Sequence, residues 1–324
     1  MATLLLGSSG LMAQSTAYTK PSGFVTHTLK AGQFNLIGLT LQESVIVTGD
    51  FTEVSGSALT DSNVDFDTVL TSGDTYVLEI TNAGSNNLNG MAQEFSAWAG
   101  NDITLTSGIS GLAIGDTYQI RRVPTISDIF GANNAAGLQA SSNFAPAEAD
   151  VIYVSQGSAF LKYYYSDNAA LTGWFDSAGQ PSGDAPLTYL DSLLILRRGS
   201  TDLSVVFTGT VKTITSSLSL EGASYNYVST VFPVGSTLGN SGLQNGLTAT
   251  PNFVPTEADW VYIPDGSGGY DIYFYSTLPG AIGWFKKAGA TDATNVELTS
   301  GVIIYRRGSA TGVKINPPVG YSGL

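Results

Sequence analysis

The 324-residue chain contains no cysteine. That removes disulfides, thiolate nucleophiles and every zinc set that requires sulfur. Histidine occurs once, at His27, so no second imidazole can complete a two-histidine metal set, and in the run FVTHTL it reads as a packed or solvated strand residue. Basic residues are scarce too: 13 Lys and Arg face 26 Asp and Glu, a formal net charge of −13. A negative field of that size repels phosphate backbones and excludes nucleic acid as a partner. No apolar run approaches the roughly 18 residues that cross a bilayer as a helix, so no transmembrane segment is expected.

What the chain has instead is aromatic and small: 16 Tyr, 14 Phe, 4 Trp and 38 Gly, with only 12% of residues charged. This composition fits an exported β protein, secreted or held at the cell surface. The opening ATLLLGSSGLMAQS has a short apolar run and a small-residue site after Ala13, so residues 1–13 read as the remnant of a secretory signal.

The dominant pattern is a repeat. NFAPAEADVIYV begins at Asn143, and NFVPTEADWVYI begins 109 residues later at Asn252. Beyond the first strand the spacing becomes 110, which pairs Tyr163, Tyr165, Trp174 and Phe175 with Tyr273, Tyr275, Trp284 and Phe285. It returns to 109 where LILRRGS, from Leu194, is answered by IIYRRGS, from Ile303. Insertions therefore fall in Gly-rich turns while apolar runs keep phase, as a duplicated fold drifts. Upstream, the stretch from Phe24 to Gln42 resembles that from Ile214 to Phe232, with Gly32 and Gly222 separated by 190 residues and Asn35 and Asn226 by 191. The first copy therefore carries about 80 extra residues between two of its strands.

Period-2 alternation and frequent Gly, Ser and Asn turns, with little helical periodicity, predict an all-β fold. We expect two duplicated β-sandwich-like domains, the first interrupted by a small inserted β-barrel. The boundaries are 14–42 with 123–211 for the first repeat, 43–122 for the insert and 212–324 for the second repeat. A short helix or turn is expected within 127–138.

Few residues invite chemistry. Glu148/Asp150 and Glu257/Asp259 are carboxylate pairs of the kind that hydrolyse sugars. Each recurs in both copies, and each copy also ends a strand with two arginines, Arg197/Arg198 and Arg306/Arg307. The expected role is a structural ion pair made once per repeat. Asp61, Asn63, Asp65 and Asp67 imitate the start of a calcium loop but lack its glycine and its final acid, so an alternating strand with an acidic outer face is expected. The recurring Gly-Trp-Phe places Trp174 and Trp284 in phase with the apolar framework. Tyr164 and Phe274 alternate away from it and are the better candidates for an exposed aromatic surface; all four are the candidate binding residues.

AGQFNLIGLTL near the start, YVLEI followed by GDTYQIRRVPTISDIFG, the strands EADVIYV and EADWVYI, and the late GVIIYRRGS together resemble a family of exported, repeat-containing β proteins known mainly from verrucomicrobial genomes. The resemblance spans nearly the whole chain and implies export; it supplies no catalytic residues. The functional expectation is a secreted, non-enzymatic surface or extracellular structural protein without cofactor or metal, self-assembling into a filament or layer. The alternative is a carbohydrate-binding module using the repeated aromatics. The partners are thus further copies of itself or extracellular glycans.

Overall fold

The structure, a computed structural model, describes residues 21–85, 87–157 and 159–321; the expected signal remnant lies outside them. The chain is all-β. Its strands run β1 (Ser22–Leu29), β2 (Phe34–Gly38), β3 (Val45–Asp50), β4 (Glu53–Ser55), β5 (Ala58–Thr60), β6 (Tyr76–Asn82), β7 (Ala92–Phe95), β8 (Ala97–Ala99), β9 (Asp102–Thr104), β10 (Thr117–Arg122) and β11 (Val151–Gln156). They continue with β12 (Ala159–Asn168), β13 (Leu171–Asp176), β14 (Ser192–Leu196), β15 (Leu203–Thr210), β16 (Ser216–Leu220), β17 (Ser224–Ser229), β18 (Trp260–Pro264), β19 (Tyr270–Leu278), β20 (Ala281–Lys286), β21 (Gly301–Arg306) and β22 (Thr311–Ile315). Helix is confined to single turns. One of these, Ile126–Phe130, starts at a capping box in which Thr125 and Asp128 satisfy each other's backbone N–H.

Two five-stranded antiparallel sheets carry most of the molecule, in the orders β13-β12-β11-β14-β2 and β20-β19-β18-β21-β17. Their registers correspond residue for residue. Ile152 lies opposite Ile195 and Tyr163 in the first sheet, and Val261 opposite Ile304 and Tyr273 in the second. Tyr165 opposes Trp174 as Tyr275 opposes Trp284. Asn35 bonds back to Lys30 and to the Gln33 and Ile195 carbonyls; Asn226 does the same with Glu221, Ser224 and Ile304. Each sheet has a two-stranded companion, β1-β15 and β16-β22.

The alternating inner residues of both sheets and both ribbons join one continuous apolar core, from Leu29 and Ile152 through Trp174 and Val205 to Val261, Trp284 and Ile315. The sheets meet along β14 and β2 on one side and β17 and β21 on the other. Ser192 Oγ donates to the Val228 carbonyl at 2.6 Å, and Gly38 N–H donates to Ser300 Oγ at 3.0 Å. Only glycine permits this approach, because a Cβ on Gly38 would sit 2.5 Å from the Ser300 carbonyl oxygen and one on Gly301 2.2 Å from Ser192 Oγ.

The 43–122 segment departs from the expected barrel. It forms two open four-stranded sheets, β3-β10-β6-β7 and β4-β5-β9-β8, around a second core built on Phe51, Phe66, Tyr76, Leu78, Phe95 and Tyr118. Barrel closure needs long tilted strands with a staggered register. β4, β5, β8 and β9 have three residues each, too few to wrap around, so the segment is a small sandwich. The expected acidic strand at 61–67 is also corrected. Asp61 is buried, accepting from Tyr118 Oη at 2.8 Å and from Asn63 N–H at 2.9 Å, and Asp65 caps a helical turn at Phe66–Val69. These short polar side chains bond their own backbone, which favours turns over strands.

Candidate functional site: matching aromatic triads on the outer sheet faces

The repeated acids and arginines are held in the frame. Asp150 is fully buried; its carboxylate accepts from Arg197 Nη1 at 2.5 Å, Arg198 N–H at 2.6 Å and Gln139 N–H at 2.8 Å. Asp259 accepts from Arg306 Nη1 at 2.5 Å, and from Arg307 and Thr248 N–H at 2.7 Å each. Each acid therefore ties the loop before its strand to the end of the neighbouring strand in the sheet, β14 or β21. Glu148 and Glu257 make no such pair; they bond Ser141 and Asn143, and Thr250 and Asn252. The Arg198 side chain is exposed. His27 is half-buried on β1 with its ring 5.3 Å from Phe207, and burial lowers its pKa. Among the described residues no group of three or more His, Cys, Asp or Glu is placed to hold a metal ion.

The four aromatics nominated from sequence do not form a surface. Trp174 and Trp284 lie in the main core, and Tyr164 and Phe274 are 2% and 0% exposed. Alternation does put Tyr164 and Phe274 on the outer face, but the preceding loop folds over them. Phe144, at φ 58°, packs edge-on to Phe175 at 4.7 Å; Phe253, at φ 59°, packs on Phe285 at 4.7 Å. A bulky residue in the left-handed region is costly, and its occurrence at both positions shows that ring packing outweighs the backbone cost.

Farther along the same outer faces, aromatic rings remain accessible. In the first sheet Phe34, Tyr153 and Phe160 form a chain, at 5.5 Å and 68° and then at 6.1 Å and 82°. In the second, Tyr225, Tyr262 and Tyr270 occupy the corresponding strand positions, at 5.8 Å and 62° and then at 6.5 Å and 79°. Phe34 and Tyr225 are 46% and 48% exposed. The triads are bridged: Phe160 contacts Tyr227 at 5.0 Å, and the Tyr270 phenol is raised by burial and then by Tyr227. The second face carries more rings, with Trp260 and Tyr305 beside Tyr225 and Tyr262. Lys287 Nζ lies 3.7 Å and Arg307 Cζ 4.2 Å from the Trp260 ring centre, and Lys162 Nζ lies 5.6 Å from that of Tyr153. Sequence reading missed these triads, although Phe34/Tyr225, Tyr153/Tyr262 and Phe160/Tyr270 obey the 191, 109 and 110 spacings already found.

Two polar clusters mark the junction with the 43–122 segment. Glu94 and Asp191 line a crevice of about 360 Å³ with Thr188 and Leu218. Burial, then Glu94, pushes the Asp191 carboxyl up to about 7, and burial also raises Glu94. Deeper, Glu79 of β6 is buried against Lys212, Tyr189 and Gln119.

No family model matches the chain, and searches of curated proteins and of solved structures give no match either.

Proposed function

We propose that the chain is an exported, non-enzymatic structural protein that packs against further copies of itself through its aromatic outer faces. The observation that carries the reading is the triad made twice with matching ring geometry, on faces the rest of the chain leaves partly exposed. Tyr, Trp, Phe and Arg are the residues that concentrate at protein interfaces and dominate their energetics. Charge favours a second copy as the occupant. Lys162, Lys287 and Arg307 stand on these faces in a chain of net charge −13, so the aromatic face of one copy complements the acidic remainder of another. Such a contact joins unlike surfaces, and it propagates into a filament or layer unless its rotation closes. The carboxylate pairs support the non-enzymatic reading, because Asp150 and Asp259 are spent on arginines.

Glycan binding comes second. The exposure of Tyr225 and Phe34 favours it, but the rings stand edge to face, at 62° to 82°, presenting rims in place of a flat stacking platform, and Trp260 is occupied by cations.

Sedimentation velocity across a hundredfold concentration range should show growing assemblies that shrink as salt screens the charges. Tyr225→Ala with Tyr262→Ala should shift them towards monomer. Monomers at every concentration would overturn the reading, and Tyr225-dependent retention on insoluble polysaccharide would put glycan binding in its place.

A further inference from the structure

Glu79 sits mid-strand in β6, where five successive residues, Tyr76 to Ile80, are buried. Tyr76, Leu78 and Ile80 point into the segment's own core, while Val77 reaches the main core. By strand alternation Glu79 therefore faces the body of the molecule. There its carboxylate touches Lys212 Nζ, with the two side chains 1% and 0% exposed. Lys212 comes from the connection between β15 and β16, so the contact joins the 43–122 segment to the point where the two halves are linked. Tyr189 Oη donates to Glu79 Oε1 at 3.0 Å and Gln119 Nε2 to Oε2 at 2.5 Å. The Lys212 ammonium group also lies 5.6 Å from the Tyr189 ring centre.

We propose that Lys212 and Glu79 are joined by a side-chain amide that forms in the folded protein. The components of the reaction are all in place. Exclusion from water disfavours both charges, and the reactive form of the pair is the one in which a proton has passed from the ammonium to the carboxylate, a neutral amine beside a neutral acid. The amine lone pair attacks Glu79 Cδ, and a C–N bond forms as a C–O bond breaks. The departing hydroxyl and the amine proton leave as one water, so neither oxidant nor reductant is needed. Tyr189 and Gln119 are the positioning residues. They fix the carboxyl group and donate hydrogen bonds to its oxygens as charge develops there, and burial raises the Tyr189 phenol so that it stays protonated. Proximity supplies much of the acceleration, and exclusion of water opposes hydrolysis of the product. In a cysteine-free chain this amide would do the work of a disulfide, stapling together two parts built on different cores.

The test is the intact mass of the purified full-length chain. We expect it about 18 Da, one water, below the sequence mass. Tandem mass spectrometry should recover a branched peptide joining Lys212 to Glu79, and Lys212→Met should restore the sequence mass. A wild-type mass equal to the sequence, or a water loss that maps to Asp265-Gly266 as a cyclic imide, overturns the proposal. Because the wild-type measurement decides the matter, the outcome stands even if the variant fails to fold.

Discussion

Replacing Asp150 with alanine removes one carboxylate and strands four donors. Arg197, whose side chain is 8% exposed, loses its ion-pair partner and keeps only the Thr201 carbonyl, at 3.2 Å. The N–H groups of Arg198, Gly199 and Gln139 lose their acceptor as well. Breaking a buried pair from one side costs about 3–5 kcal/mol, since the remaining charge stays desolvated; an orphaned buried N–H costs about 1–3 kcal/mol more, though the two effects overlap. We expect a loss of about 4 kcal/mol, a large share of the roughly 5–15 kcal/mol that holds a folded chain together. The second repeat provides an internal comparison. After Asp259→Ala, Arg306 keeps two acceptors, Thr248 Oγ1 at 2.7 Å and the Ser309 carbonyl at 2.9 Å, and its side chain is 12% exposed. That loss should be nearer 3 kcal/mol. Urea unfolding followed by tryptophan fluorescence measures both. With an m-value of about 3 kcal/mol per M, the Asp150→Ala midpoint falls by about 1.3 M. Adding Arg197→Met to Asp150→Ala should cost at least about 2 kcal/mol less than the two single changes together. A loss below about 1 kcal/mol, or additive single changes, would refute the assignment of Asp150 as the charge that holds Arg197 in the core.

Two further outcomes follow from the same geometry. Asp191 has a folded pKa near 7, raised from 3.8 by burial and by Glu94, so between those values the folded state binds more protons than the unfolded state and its contribution to stability falls as pH rises. Urea midpoints from pH 4 to 8 should therefore drop more steeply through this window for the wild type than for Asp191→Asn; parallel curves would count against the shift. Gly38→Ala places a methyl 2.5 Å from the Ser300 backbone oxygen, whereas Gly23→Ala meets nothing within 4 Å. The first should cost about 1–3 kcal/mol by overpacking and the second far less, which thermal melts of the two variants would check.

The strand framework was legible because apolar alternation needs only neighbouring residues. The Asp150–Arg197 and Asp259–Arg306 pairs were legible because acid and arginine recur together at one spacing. What escaped notice depends on contacts distant in sequence. Tyr164 and Phe274 have outer-face parity, and nothing in NFAPAE or NFVPTE announces that Phe144 and Phe253 adopt a positive φ and swing over them. The alternation at 61–67 suggested a strand, yet Asp61 and Asp65 each accept from a backbone N–H two residues on, a local competition that periodicity cannot register. Sheet closure in the 43–122 segment depended on strand length and pairing partners, which turn spacing does not specify. Glu79 did leave a trace: a carboxylate in YVLEI, with apolar neighbours on both sides, signals a strand covered on both faces and a charge that needs a partner.

The single core shared by both halves gives the aromatic faces their fixed relation. Were each sheet to close over its own core, the triads would sit on bodies free to rotate about the 211–215 connection. Instead Trp174 and Trp284 belong to one apolar cluster, and glycine at 38 and 301 lets the sheet edges interlock. Phe160 can then reach Tyr227 across the seam. Two of the attachments of the 43–122 segment to this body lie close together in sequence. One is the Glu79–Lys212 contact; the other is the Ser217 N–H bond to the Gly90 carbonyl at 2.9 Å, where a Cβ on Gly90 would lie 2.4 Å from the Thr215 carbonyl oxygen. Both attachments fall on the stretch joining the two halves, the place where rotation would otherwise be easiest. Loosening either one should therefore disturb the spacing of the triads before it unfolds either sheet, and association should fail at lower denaturant than tryptophan fluorescence does.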